Sequence, residues 1–142
     1  MAYLFKEKFQ IEELVAQTGQ LKKILIAEAE NYLSALYASH FARQKFQVMA
    51  CQDLEQLLRQ VRDFQPHLLV VNPGLFQNDQ HVRTMLSRVR ALSPSLLVVS
   101  IGNNVPLDII KQLMTCGVSS HLERHLTRPQ DLVVVVRTLF NL

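Results

Sequence analysis

The sequence predicts an α/β protein with a central parallel sheet covered on both faces. Two observations carry that expectation. Five short apolar runs recur at residues 24–27, 46–50, 67–71, 96–101 and 118–122, and longer stretches with helical spacing lie between them at 32–43, 53–64, 79–92 and 105–116. Near-continuous apolar runs mark strands buried on both faces, and their alternation with amphipathic helices joins parallel neighbours.

Taken in order, the first strand opens at the basic pair Lys22 and Lys23 and ends before Glu28. The third helix is the clearest: Val82, Met85, Leu86 and Val89 form one face while Arg83, Ser87, Arg88 and Arg90 fall elsewhere. Asn78 and Asp79 are its candidate caps and Pro94 follows its end. Arg83, Arg88 and Arg90 read as a solvated basic face, with contact to an acidic partner as the alternative. The closing segment "TRPQDLVVVVRTLFNL" carries four consecutive valines, which favour a strand. A helix is the preferred reading. Thr127 is a plausible N-cap, Pro129 suits the first turn, Asp131 complements the helix dipole, and Val133, Val136, Leu139 and Phe140 form an inward stripe. An added edge strand is the alternative.

Residues 1–21 stand outside this rhythm as an N-terminal extension, with a single domain over 22–142. Phe5 and Phe9, with Ile11, Leu14 and Val15, suggest an amphipathic helix stopped at Gly19. It either packs on its own domain or serves as a contact or linker to another chain.

At 142 residues, one domain can bury a core without metal or disulfide staples. A hydrophobic fraction of 49% and a charged fraction of 19% are ordinary for a globular protein. Cys51 and Cys116 lie in apolar patterns rather than as a close pair, which favours a reduced, cytoplasmic setting. No membrane span or signal core is visible. The net charge of +3 is spread along the chain, without the basic stripe and stacking aromatics of a nucleic-acid binder.

In an open parallel sheet, ligands and chemical groups gather where the strands end, because loops converge there and helix N-termini point their amides inward. That rule selects Glu28 and Glu30, Asn72, Ser100 and Arg124. "NPGLF" also offers a turn at Gly74, but without the glycine pattern of a phosphate loop. His121 and His125 are spaced like ligands on a helix, but they fall on a strand end and the loop beyond it, where that spacing does not put them on one face, so they do not suggest a metal site. His40, His67 and His81 read as surface or strand-edge residues. A Ser100–His121 nucleophilic pair lacks an evident acidic orienter and a Gly-x-Ser-x-Gly context.

The ordered set resembles the receiver domains of two-component response regulators, from about Lys22 to Leu142. "KKILIAEAENY" is similar to the strand that ends in an acidic pair. "PHLLVVNPG" is similar to the strand that ends in the phosphoacceptor aspartate, "LLVVSIGNN" to the strand with the switch hydroxyl, and "GVSSHLERHL" to the strand with the lysine. The intervals of 44, 28 and 24 residues between Glu28, Asn72, Ser100 and Arg124 suit that family. The resemblance implies a CheY-like, flavodoxin-like (βα)5 fold, with a doubly wound five-stranded sheet in the order 2-1-3-4-5.

It also implies that phosphoryl chemistry is lost. Receivers need a carboxylate nucleophile and further acidic groups around Mg²⁺. Here Asn72 holds the acceptor position, and the acidic pair is reduced to Glu28 followed by Ala29. Asp79 lies too far along the next helix to substitute. Ser100 keeps the hydroxyl and Arg124 the cation without the shape of lysine. Ile101 replaces a small residue beside the phosphoryl site and narrows it. His121 stands at the switch aromatic's position, and His125 replaces the proline after the lysine, so a trans peptide is expected there.

The expected substitute network has Arg124 reaching Glu28 and the side-chain oxygen of Asn72. The resulting expectation is a non-enzymatic pseudo-receiver, without cofactor or metal, that binds a protein partner in signalling. The resemblance places the contact on the fourth helix, fifth strand and fifth helix, with Lys111, Gln112, Thr115, Arg128 and Arg137 as candidates and a homodimer as one form. A small-ligand or nucleotide sensor using the vestigial pocket is the alternative.

Overall fold

The computed structural model describes residues 22–142, so the expected N-terminal helix lies outside the described residues. Five strands, β1 (Lys23–Ala27), β2 (Gln47–Cys51), β3 (Leu68–Val71), β4 (Leu97–Gly102) and β5 (Ser120–Glu123), form an all-parallel sheet in the order β2-β1-β3-β4-β5. Five helices connect and cover it: α1 (Asn31–Arg43), α2 (Leu54–Phe64), α3 (Asp79–Leu92), α4 (Leu107–Thr115) and α5 (Pro129–Leu139). The predicted sheet order and layering are therefore observed.

Side-chain alternation divides the core into two layers. Leu25, Leu69, Val71 and Val98 pack with Leu57, Val61, Val82, Leu86 and Leu113 of α2, α3 and α4. Ile24, Ile26, Leu68, Val70 and Val99 pack on the opposite face with Tyr37 and Phe41 of α1 and Leu132 and Val136 of α5. All four residues of β3 are buried, which explains their uninterrupted apolar run. Each such side chain contributes about 1.5–3 kcal/mol relative to exposure.

Local signals set the helix starts. Asp53 accepts from the Gln56 amide at 2.8 Å and Asn78 from the His81 amide at 2.8 Å, each satisfying a donor that has no partner within its helix. The valine run is helical because Val133 and Val136 face the core while Val134 points outward. Its start differs from expectation. Arg128 is the N-cap residue; the Asp131 carboxylate accepts from the Arg128 amide at 3.0 Å and from its guanidinium. Thr127 instead donates its hydroxyl to the Glu123 carbonyl at 2.8 Å, fastening the loop to β5.

Arg90 also departs from the solvated-face reading. Its guanidinium donates to the carbonyls of Leu96 and Gly117, tying α3 to the loops before β4 and β5. Gly117 has φ of +88°, which favours glycine where the chain turns from α4 into β5.

Candidate functional site

Parallel register brings the selected residues to one end of the sheet. Ala27 pairs with Val71, Val71 with Ser100, and Ser100 with His121, so Glu28 and Asn72 sit one residue beyond two adjacent central strands. Backbone bonds fix both: the Glu28 amide donates to the Cys51 carbonyl and the Asn72 amide to the Ala27 carbonyl, each at 3.0 Å.

The centre of the site is the Glu28 carboxylate, whose side chain is only 3% exposed. Arg124 Nη2 donates to its Oε1 at 2.5 Å, Asn72 Nδ2 lies 3.1 and 3.2 Å from its two oxygens, and the Glu30 amide donates to Oε2 at 3.2 Å. A buried carboxylate is tolerable only with this kind of pairing. Arg124 opens a one-turn 3-10 helix, Arg124–Leu126, after β5, and its Nε donates to the hydroxyl of buried Tyr37 at 3.2 Å. Among the described residues no peptide bond is cis, so the turn through His125 is trans.

The expected contact between Arg124 and the Asn72 oxygen is corrected. Asn72 Oδ1 accepts the Gly74 amide at 2.8 Å and caps the 3-10 turn Pro73–Leu75, so the amide NH₂ is the end that meets Glu28. That arrangement suits an amide and not a carboxylate: one end accepts from backbone, the other donates to an anion. Gly102 closes over it. A Cβ at Gly102, the last residue of β4, would lie 3.0 Å from Asn72 Oδ1 and 3.2 Å from Pro73 Cδ, a contact tight enough that these neighbours would have to give by a few tenths of an ångström.

Beside this network, Ser100 Oγ and His121 Nδ1 are 2.7 Å apart, and His121 Nε2 is 3.1 Å from Glu123 Oε1. The acidic partner judged absent from the sequence is Glu123. Residues 121 and 123 share a strand face by the two-residue period, which was the available signal. A neutral ring protonated at Nε2 satisfies both contacts, donating to Glu123 and accepting from the serine. Bonds from His121 and from the backbone amides of Asn104 and Val105 hold the Glu123 carboxyl below the usual range. Ser100 is 0% exposed, so the triad fastens β4 to β5 and does not present a nucleophile.

Other expected residues are placed as follows. Ala29 and Glu30 are exposed, and Ile101 belongs to the buried layer against α1 and α5. Lys111, Thr115 and Arg128 are exposed, whereas Gln112 and Arg137 are half-buried. Arg137 reaches back to Gln44 at the end of α1, at 3.4 Å. Tyr37 was not anticipated, since nothing in a helical tyrosine announces a partner 87 residues away. Among the described residues no cluster of His, Cys, Asp and Glu could hold a metal ion, and no helix is long and apolar enough to cross a membrane.

This architecture is the CheY-like, flavodoxin-like fold, and the solved structures similar to it include response-regulator receiver domains. A CheY-like receiver domain from Methanospirillum hungatei superimposes with a TM-score of 0.76 at 13% identity, over 84% of this chain and 94% of that one. HP1043, an orphan response regulator of H. pylori, gives 0.73 at 14% identity, over 84% and 96%. A pilus assembly-related protein from Burkholderia pseudomallei gives 0.67 at 14% identity, over 88% and 92%. No family model and no curated protein matches the sequence.

Proposed function

We propose that this domain is a phosphorylation-independent pseudo-receiver that acts by protein contact in two-component-type signalling. The observation that carries the reading is Asn72. It occupies the end of β3, where the resembled family has its acceptor aspartate, and both ends of its amide are engaged, by Gly74 and by Glu28. An amide oxygen cannot form an acyl phosphate, and one buried carboxylate already bonded to arginine is a poor Mg²⁺ site.

Contact through α4, β5 and α5 is supported by the exposure of Lys111, Met114 and Thr115 on α4 and of Arg128 and Val134 at the start of and along α5. A homodimer through that face is the simplest form, and Val134→Glu would lower the solution mass measured by sedimentation equilibrium. Treating the chain with acetyl phosphate and Mg²⁺ tests the chemistry. No mass increase of a phosphoryl group is expected; an acyl phosphate on this chain would overturn the reading. The ligand-sensor alternative has less support, because Gly102 and Pro73 close over Asn72 and Ser100 is buried.

A further inference from the structure

The amino end of α4 is lightly seated. Only Leu113 of its nine residues is buried, whereas α3 buries Val82, Met85, Leu86 and Val89. Pro106 is its N-cap residue, and no side-chain cap bond is made there. Leu107, its first residue, is exposed. Few buried apolar contacts and an uncapped start are the marks of a segment that opens before the rest of the fold.

The two ends of α4 are fastened differently. At its carboxyl end the Val118 amide donates to the Leu113 carbonyl at 3.0 Å, and Arg90 donates to the Gly117 carbonyl at 2.9 Å. At its amino end the loop from β4 turns through Asn104, whose φ of +51° is a conformation asparagine tolerates better than most residues. There the Asn104 amide donates to Glu123 Oε2 at 2.9 Å, so one carboxylate ties the loop to β5.

That carboxylate is itself held from the sheet interior. Its other oxygen meets His121 Nε2 at 3.1 Å, and His121 Nδ1 meets buried Ser100 at 2.7 Å. A ring bonded by the serine hydroxyl at one nitrogen donates better from the other. The Glu123 side chain is 26% exposed, so water can replace the loop amide. The exposed His125 ring, 3.8 Å from Glu123 Oε2, offers a second replacement. Thr127 meanwhile bonds the Glu123 carbonyl, so the main chain keeps its place when the carboxylate changes partner.

We infer that Glu123 is a latch on the amino end of α4. While its carboxylate holds Asn104, the β4–α4 loop and the first turn of α4 stay seated; when it lets go, they open together about Leu113 and the sheet stays closed. The device belongs to this chain whatever α4 contacts, and it sets how Leu107 and Lys111 are shown at the surface.

Amide hydrogen exchange of the full chain, read by NMR, tests the latch. In Glu123→Ala, exchange at Asn104 and at Ile110, whose amide donates to the Pro106 carbonyl, should rise together by about tenfold to a hundredfold, the worth of a bond to a charged group. Val70 and Val71 in β3 should keep the parent's rates. Glu123→Gln should stay near the parent, because a carboxamide accepts from Asn104 and donates to His121 once the ring proton moves from Nε2 to Nδ1. Ring ¹⁵N shifts should record that move. Four results would overturn the inference: faster exchange at Asn104 alone; equal acceleration at Val70 and Val71, which reports general loss of stability; unchanged rates in Glu123→Ala; or a ring proton still on Nε2 in Glu123→Gln.

Discussion

Arg124 and Glu28, 96 residues apart in sequence, meet at 2.5 Å across the carboxyl end of the sheet, with side chains only 16% and 3% exposed. Removing one partner strands the other, whereas removing both leaves an apolar site to repack. Arg124→Met should lower unfolding free energy by about 3 kcal/mol. Arg124→Met with Glu28→Leu should lose clearly less. Urea denaturation of both variants is the check, and equal losses would show that the pair is not coupled.

Asn72→Asp should not restore a receiver's chemistry. It would replace the NH₂ that meets Glu28 by a second carboxylate, destabilising the fold by about 1–3 kcal/mol at neutral pH. Two close carboxylates raise the pKa of one of them, so the folded state binds an extra proton as pH falls. The variant should therefore regain stability relative to the parent in mild acid, readable as converging thermal midpoints between pH 7 and 5.

His67 gives the parent its own acid sensitivity. Partial desolvation and the nearby Lys22 and Lys23 charges hold its pKa below the ordinary value, and its Nδ1 accepts the Lys23 amide at 2.9 Å. The unfolded chain thus binds the proton more readily. The stabilising contribution is complete above about pH 6.5 and is lost as pH falls through the depressed folded value. His67→Gln should flatten that part of the stability profile. Glu123, also depressed, adds a second decline at lower pH, as the carboxylate range is crossed.

Burial, with Asp53 nearby, pushes the Cys51 thiol up to about 12, and burial raises Cys116 less decisively because Arg83 and Arg90 oppose it. Since the thiolate is the reactive form, Cys51 should resist a thiol reagent at pH 8 until the chain unfolds. Mass spectrometry should find Cys116 modified first.

Much of the fold was legible because β3 and β4 are buried on both faces and wrote themselves as apolar runs, and because Asn78 and the Val82–Val89 stripe obey local rules. Register then delivered Glu28, Asn72, Ser100 and Arg124 to one end, as strand order implies. Illegible were the choices made by side-chain geometry. Asn72 turned its oxygen to Gly74 because a 3-10 turn needed an acceptor, and Arg124 found Tyr37 across the sheet edge. Arg90 left its helix face for two carbonyls that only the folded chain brings near. Glu123 could have been found, two residues from His121 on a strand.

Under the proposed function, the Asn72–Glu28–Arg124 network stands in for metal and phosphoryl binding. Its most direct measurement is ¹⁵N NMR of the Asn72 side-chain amide, the Arg124 Nε–H and the Gly74 amide during titration with Mg²⁺ and beryllofluoride. These three signals are expected to stay in place. Saturable shifts centred on them, with beryllofluoride enhancing the effect of Mg²⁺, would contradict it.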